Sequence, residues 1–218
     1  MLEIAGIELL PAWPVFLSFV VAGLALNIVP GADMTFVIAA AARGGRGDGT
    51  IAALGIGAGT FAHILAAVLG LSAILASSQT AFNIIKWIGA AYLLWIAVSL
   101  LRSGGGEPAE GARPSGSGWR LFRAAALVNI LNPKVGLFFL AFLPQFVDPE
   151  AAVPALQILC LGLWFDLVGT LVNVAIALAA AGTAARLRHV SWIGRAARWV
   201  TATAMGGLAV QLAFSQRR

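Results

Sequence analysis

From Trp13 to Ala42 the chain is almost wholly apolar, and the middle of that run reads Asn27-Ile28-Val29-Pro30-Gly31-Ala32-Asp33. A run of this length can cross a bilayer, which takes about 20 apolar residues. Pro30 lacks an N–H and crowds the preceding turn, and Gly31 adds backbone freedom, so the helix is expected to break at membrane depth. Asp33 follows at once, where a charge is costly. Irregular backbone is tolerated there only when it is buried in protein or lines a cavity. The stretch reads either as a proline-kinked helix with a tolerated acid or as a substrate or ion site at a discontinuous helix. Its recurrence farther along favours the second reading.

Six apolar runs have spanning length, at roughly 14–42, 51–77, 81–101, 121–144, 153–181 and 192–214. Residues are 60% hydrophobic and only 11% charged, against about 25% charged in soluble domains. The expected fold class is all-α: an integral membrane bundle of six transmembrane helices, one domain over 1–218. The first and fifth runs are long enough to require tilt, a break or an overhang. A Gly/Pro/Ser-rich linker at 103–118 separates a first half (13–102) from a second (119–214).

The net charge of +5 does not indicate nucleic acid, because the arginines lie in short loops between apolar runs. Ten of them, Arg43, Arg46, Arg102, Arg113, Arg120, Arg123, Arg186, Arg188, Arg195 and Arg198, fall on one side, and only Arg217 and Arg218 fall on the other. The positive-inside rule then puts those loops in the cytoplasm and both termini outside. Trp13, Trp119 and Trp192 stand near helix ends, where aromatic anchors belong. Glu3 and Glu8 precede the first run without a basic residue, so a cleaved signal peptide is not expected. Cys160 is the single cysteine, which leaves no internal disulfide to build.

The halves look related. Asn27-Ile28 before Pro30-Gly31 parallels Asn129-Ile130 before Asn132-Pro133, and Pro30 and Pro133 are 103 positions apart, as are His63 and Asp166. Three helices per half require the second half to be inserted upside down, giving two inverted repeats with broken helices 1 and 4, an arrangement that marks central sites in secondary transporters.

The residues that could carry chemistry cluster on these helices. Gly55, Gly59, His63 and Gly70 share one helical face, as do Gly162, Asp166, Gly169 and Asn173. The glycines suit close helix packing. His63 either donates to a neighbouring carbonyl or takes part in proton or substrate handling, since imidazole titrates near physiological pH. Asp166 is either a structural hydrogen-bonding acid or a proton carrier. Lys134, beside Asn129, Asn132 and Pro133, could pair with Asp33 or Asp166 or meet a substrate carboxylate. No cofactor is expected: there is no phosphate loop, and Gly55-x-Gly57-x-Gly59 lacks the strand of a dinucleotide site. Two histidines without a cysteine cluster argue against a metal site.

Pro30-Gly31-Ala32-Asp33 resembles the Pro-Gly-Pro-Asn/Asp signature of the LysE/RhtB-type amino-acid exporters. Asn132-Pro133-Lys134, with Phe138-Phe139 and Phe142-Leu143-Pro144-Gln145-Phe146, resembles a second signature, and Gly89-Ala90-Ala91-Tyr92-Leu93-Leu94-Trp95 a third. The resemblance covers nearly the whole chain. Ala32 departs from it by standing where the family has a second proline, which implies a milder break in helix 1. The resemblance implies six helices, a bacterial inner-membrane location and export of an amino acid or derivative driven by the proton gradient. The solute's carboxylate would meet backbone amides at the breaks or Lys134, and its ammonium Asp33, Asp166 or freed carbonyls. The expected partners are that solute, protons and the lipid bilayer, and the short loops and small-residue faces are compatible with a homodimer. Two rivals are a non-transporting membrane scaffold and a passive small-solute channel.

Overall fold

A computed structural model describes residues 3–4, 7–71, 118–148 and 151–187, with isolated positions between 80 and 98 and between 199 and 210. Those isolated positions apart, the expected third and sixth spans, with all but the last residue of the linker, lie outside the described residues.

The described residues are helical apart from a small antiparallel pair, β1 (Glu3–Ile4) and β2 (Ile7–Glu8), with Ile4 opposite Ile7. Two segments of two residues each leave the described fold all-α, as expected. Alternation of acid and isoleucine matches the two-residue period of a strand.

Helix α1 (Trp13–Ile28) carries Pro14 in its first turn, where a missing N–H leaves no internal bond unmade. It ends because Pro30 pushes the residue before it out of the helical region: Val29 has φ −62° and ψ 119°. The chain resumes as α2 (Ala32–Ala66), whose 35 residues contain Gly45 at φ 75°. That conformation is open to glycine, and the chain reverses there. A Cβ built on Gly49 would lie 2.7 Å from the Ala41 Cβ, whereas eight residues along a straight helix span about 12 Å. The arms 32–44 and 46–66 therefore fold against each other. The first continues the broken span begun by α1. The second is the next span, extended by a π turn at Ala67–Leu71. The loop expected at 43–50 shrinks to the turn at Gly45.

Helix α3 (Gly118–Ile130) stops before Leu131-Asn132, and α4 (Pro133–Leu137) leaves at a bend of 46°. It runs on through a π turn (Phe138–Phe142) and a 3-10 turn (Leu143–Phe146). Helix α5 (Pro154–Leu187) has 34 residues, about 50 Å at 1.5 Å per residue, and so overhangs a hydrocarbon core of about 30 Å.

The second arm of α2 is central, packing on both α3 and α5. Two apolar clusters form around it. One joins Phe16, Phe19, Leu26, Ile64, the Phe138–Phe146 segment, Ile158 and Phe165. The other joins Val37, Ala41, Ala52, Ile56, Leu121, Ala125 and Ala177. Ile51, near the Gly45 turn, packs on this second cluster together with Ala180 and Ala181, and lies 2.9 Å from a Cβ built on Gly118. Exposed Arg43, Arg46, Arg120 and Arg123 thus share one end of the bundle. At the other end buried Gln157 accepts from the Asp148 N–H (2.9 Å) and donates to the Glu8 carbonyl (3.4 Å).

Candidate functional site

In an α-helix the N–H of each residue bonds the carbonyl four residues back. Pro30 and Pro133 have no N–H, so the carbonyls of Leu26 and Asn129 lose that donor. Both receive one from across the bundle. Lys134 Nζ donates to the carbonyl oxygens of Leu26 (3.2 Å) and Val29 (3.1 Å). His63 Nε2 bonds the carbonyl oxygen of Asn129 at 3.0 Å, and because a carbonyl only accepts, the imidazole carries its proton on Nε2. The two helix breaks thus face each other, each supplied by a side chain from another segment.

Lys134 lies in the first turn of α4, the positive end of a helix, and reaches the negative C-terminal end of α1. Its close approach needs Gly31, where an added Cβ would lie 3.2 Å from Nζ. In place of an ion pair with Asp33 or Asp166, its hydrogen bonds go to two main-chain carbonyls. Asn132 caps α4 through Oδ1, which accepts from the Lys134 N–H at 3.0 Å. Its buried Nδ2 has no partner among the described residues.

Asp33 is 8% exposed, in the first turn of α2. Its Oδ2 accepts from Asn129 Nδ2 at 3.0 Å, and its Oδ1 is buried without a partner among the described residues. Asn129 Oδ1 in turn accepts from Thr60 Oγ1 at 3.3 Å. Thr170 donates to Asp166 Oδ1 at 3.5 Å, and Thr60 and Asp166 line the same cavity. On the other side Asn27 Nδ2 donates to the Phe165 carbonyl at 3.5 Å. Gly169 makes room for it, since a Cβ there would lie 2.8 Å from Asn27 Oδ1.

Two small cavities, each of about 20 Å³, adjoin this network, and both are lined by Asn27, Asp33, Val135, Phe165 and Asn173. Lys134 lines the first; Thr60, Asn129, Asp166 and Thr170 line the second. They sit in the polar seam between the two apolar clusters, beside the stacked rings of Phe138 and Phe165 (centroids 4.6 Å apart). His63 stands outside the lining of both and supports Asn129, stacked on Phe139. Pro30 is half-buried and Pro133 exposed; they act through the carbonyls they free. Thr60 and Thr170 carry no mark of their own in the sequence. The available signal was position: Thr60 lies three residues before His63 and Thr170 four after Asp166, each on the same helical face as its neighbour. Among the described residues no cluster of His, Cys, Asp or Glu is arranged to hold a metal.

The profile of the LysE type translocator family matches residues 24–216. An uncharacterized membrane protein of Pseudomonas aeruginosa is 32% identical over 161 residues, covering 72% of this chain and 74% of that protein. A homoserine/homoserine lactone efflux protein of Salmonella typhi is 30% identical over 133 residues (61% of this chain, 65% of that one). A leucine efflux protein of Enterobacter sp. is 29% identical over 157 residues (70% and 73%). The aligned stretches span between 65% and 74% of these relatives' lengths. No solved structure matches the chain. The match over residues 24–216 makes this chain a member of the LysE-type translocators, a family of membrane transporters rather than enzymes.

Proposed function

We propose that this protein exports an amino acid or closely related metabolite across the bacterial plasma membrane, in exchange for protons, with the solute held between the two helix breaks. The observation that carries the reading is that one small cavity is lined by both Asp33 and Lys134. It offers a zwitterion, for its ammonium group, a carboxylate oxygen that has no partner among the described residues. It also offers an ammonium for its carboxylate, once Lys134 leaves the Leu26 and Val29 carbonyls. Broken helices facing each other are the usual place for such a site in secondary transporters. The names of the Salmonella and Enterobacter relatives support homoserine-like and leucine-like solutes as the first to try. Asp166 is the proposed proton carrier, since an intramembrane acid lining a cavity is a functional group by default.

The reading includes a single domain of six spans in two inverted repeats, with both termini outside. Its support is an exchanged pattern of contacts. The break of the first half packs on the fifth span through Asn27, Phe165 and Gly169. The break of the second packs on the second span through Asn129, Gly59, Thr60 and His63.

Uptake of labelled leucine and homoserine into everted membrane vesicles tests the proposal. Accumulation that requires an imposed proton gradient is expected. A passive channel would equilibrate the solute without accumulating it, and a scaffold would give no uptake above membranes lacking the protein.

A further inference from the structure

The second cavity, the one lined by both Asp33 and Asp166, is bordered by more acceptors than donors. The protons of its lining point elsewhere. Asn129 donates to Asp33 Oδ2, Asn27 to the Phe165 carbonyl and Thr170 to Asp166 Oδ1. The one hydroxyl proton of Thr60 goes to Asn129 Oδ1 or to the Ile56 carbonyl. Oxygen lone pairs are left over. Asp33 Oδ1 is buried and has no partner among the described residues. With it in the lining stand the rest of the Asp166 carboxylate, the Asn27 amide oxygen, the hydroxyl oxygens of Thr60 and Thr170, and the buried Asn173 amide.

Space limits what these oxygens can take up. At about 20 Å³ the cavity has room for a single particle of water size, so an amino acid does not fit it as it stands. Gly57 keeps this room open, since a Cβ there would lie 2.5 Å from Thr170 Oγ1 and 3.4 Å from Asp166 Oδ1. A water would bring two protons to a larger set of acceptors, whereas a cation is shared by all of them. Charge points the same way. Lys134 lines the adjoining cavity and gives its hydrogen bonds to the Leu26 and Val29 carbonyls. His63 stands outside both linings, on the Asn129 carbonyl. With both acids ionised, the groups lining the two cavities carry two negative charges and one positive. A buried charge without a partner is costly, and one monovalent cation balances it. Mg²⁺ keeps several waters, for which there is no room, and no His or Cys lines the cavity to draw a softer metal.

We propose that this cavity is a site for a dehydrated alkali cation, Na⁺ in preference to K⁺, held by Asp33 Oδ1 and the Asp166 carboxylate, with amide and hydroxyl oxygens as its neutral ligands. Carboxylates favour the smaller ion because its charge approaches them more closely. The inference goes beyond the proposed function and does not rest on it.

The test is binding of radiolabelled Na⁺ to the purified full chain in lipid, in alkaline buffer with choline as the replacing cation and no amino acid present. Saturable binding is expected, with K⁺ needing at least about tenfold more than unlabelled Na⁺ to displace the label. Asp33→Asn and Asp166→Asn should each weaken binding by at least about tenfold. Asp148→Asn, which alters an exposed acid outside both linings, should bind as the native protein does. If the two asparagine variants do not fold, Thr170→Val, which keeps the shape and removes one oxygen, should weaken binding several-fold. No saturable binding overturns the site, as does K⁺ competing as well as Na⁺. So does unchanged affinity in a folded Asp33→Asn, Asp166→Asn or Thr170→Val protein, or an equal loss in Asp148→Asn. Binding as expected in a protein that exports neither leucine nor homoserine upholds the ion site and counts against the export reading alone.

Discussion

Lys134 shows how one charged side chain can be held at membrane depth. A lone ammonium there is costly, but this one lies against the two carbonyls at the end of α1, one of them left without its helical donor by Pro30. Lys134→Met should strand the Val29 carbonyl, at about 1–3 kcal/mol for a buried group left unmade, and leave the Leu26 carbonyl with the Val29 N–H alone. Thermal unfolding in detergent should show a clear loss of stability together with loss of export; an unchanged melting temperature would contradict the capping role. Lys134→Arg should not rescue it, because a planar fork cannot replace a compact point charge between two carbonyls. His63 has the milder part. His63→Gln keeps a donor for the Asn129 carbonyl, so export should persist, read from initial rates, whereas His63→Leu, which removes the donor, should lower it. The residue types at the site were legible in the sequence, but the partners of Lys134 were not. The carbonyls it takes are 105 and 108 positions away, and no spacing rule connects them.

At the scale of elements, the breaks were legible because proline acts locally: Pro30 and Pro133 each end a helix whatever surrounds them. The turn at Gly45 was less so. Arg43-Gly44-Gly45-Arg46-Gly47-Asp48-Gly49 looks like a polar loop, yet only Gly45 leaves the helical region, and both arms stay helical to the turn. The close approach of the second arm of α2 to α3 depends on missing side chains. A Cβ on Gly59 would lie 2.5 Å from the Ala126 carbonyl oxygen and 2.8 Å from the Asn129 Cβ. One on Gly55 would collide with the Phe122 carbonyl. Gly59→Val should therefore push α3 away and pull Asn129 off Asp33 and Thr60, costing about 1–3 kcal/mol as overpacking does. A lowered denaturation midpoint with lost export is expected, whereas a variant as stable and active as the parent would show that the helices are farther apart.

Over the whole molecule, the arginine count and the shared end of Arg43, Arg46, Arg120 and Arg123 support a cytoplasmic face there. A cysteine introduced near Glu3 should be labelled by an impermeant reagent from outside, and one placed between Gly104 and Gly116 should be protected; the opposite pattern would invert the molecule. The central claim is that a solute in the seam is exchanged for a proton carried by Asp166. The direct measurement is the pH change inside proteoliposomes when leucine or homoserine is added, compared between the native protein and Asp166→Asn. The substitution keeps the size of the side chain and most of its hydrogen bonding but removes the titration. The account predicts solute-driven proton movement in the native protein and none above empty liposomes in the folded variant. Native-rate proton movement in Asp166→Asn would contradict it.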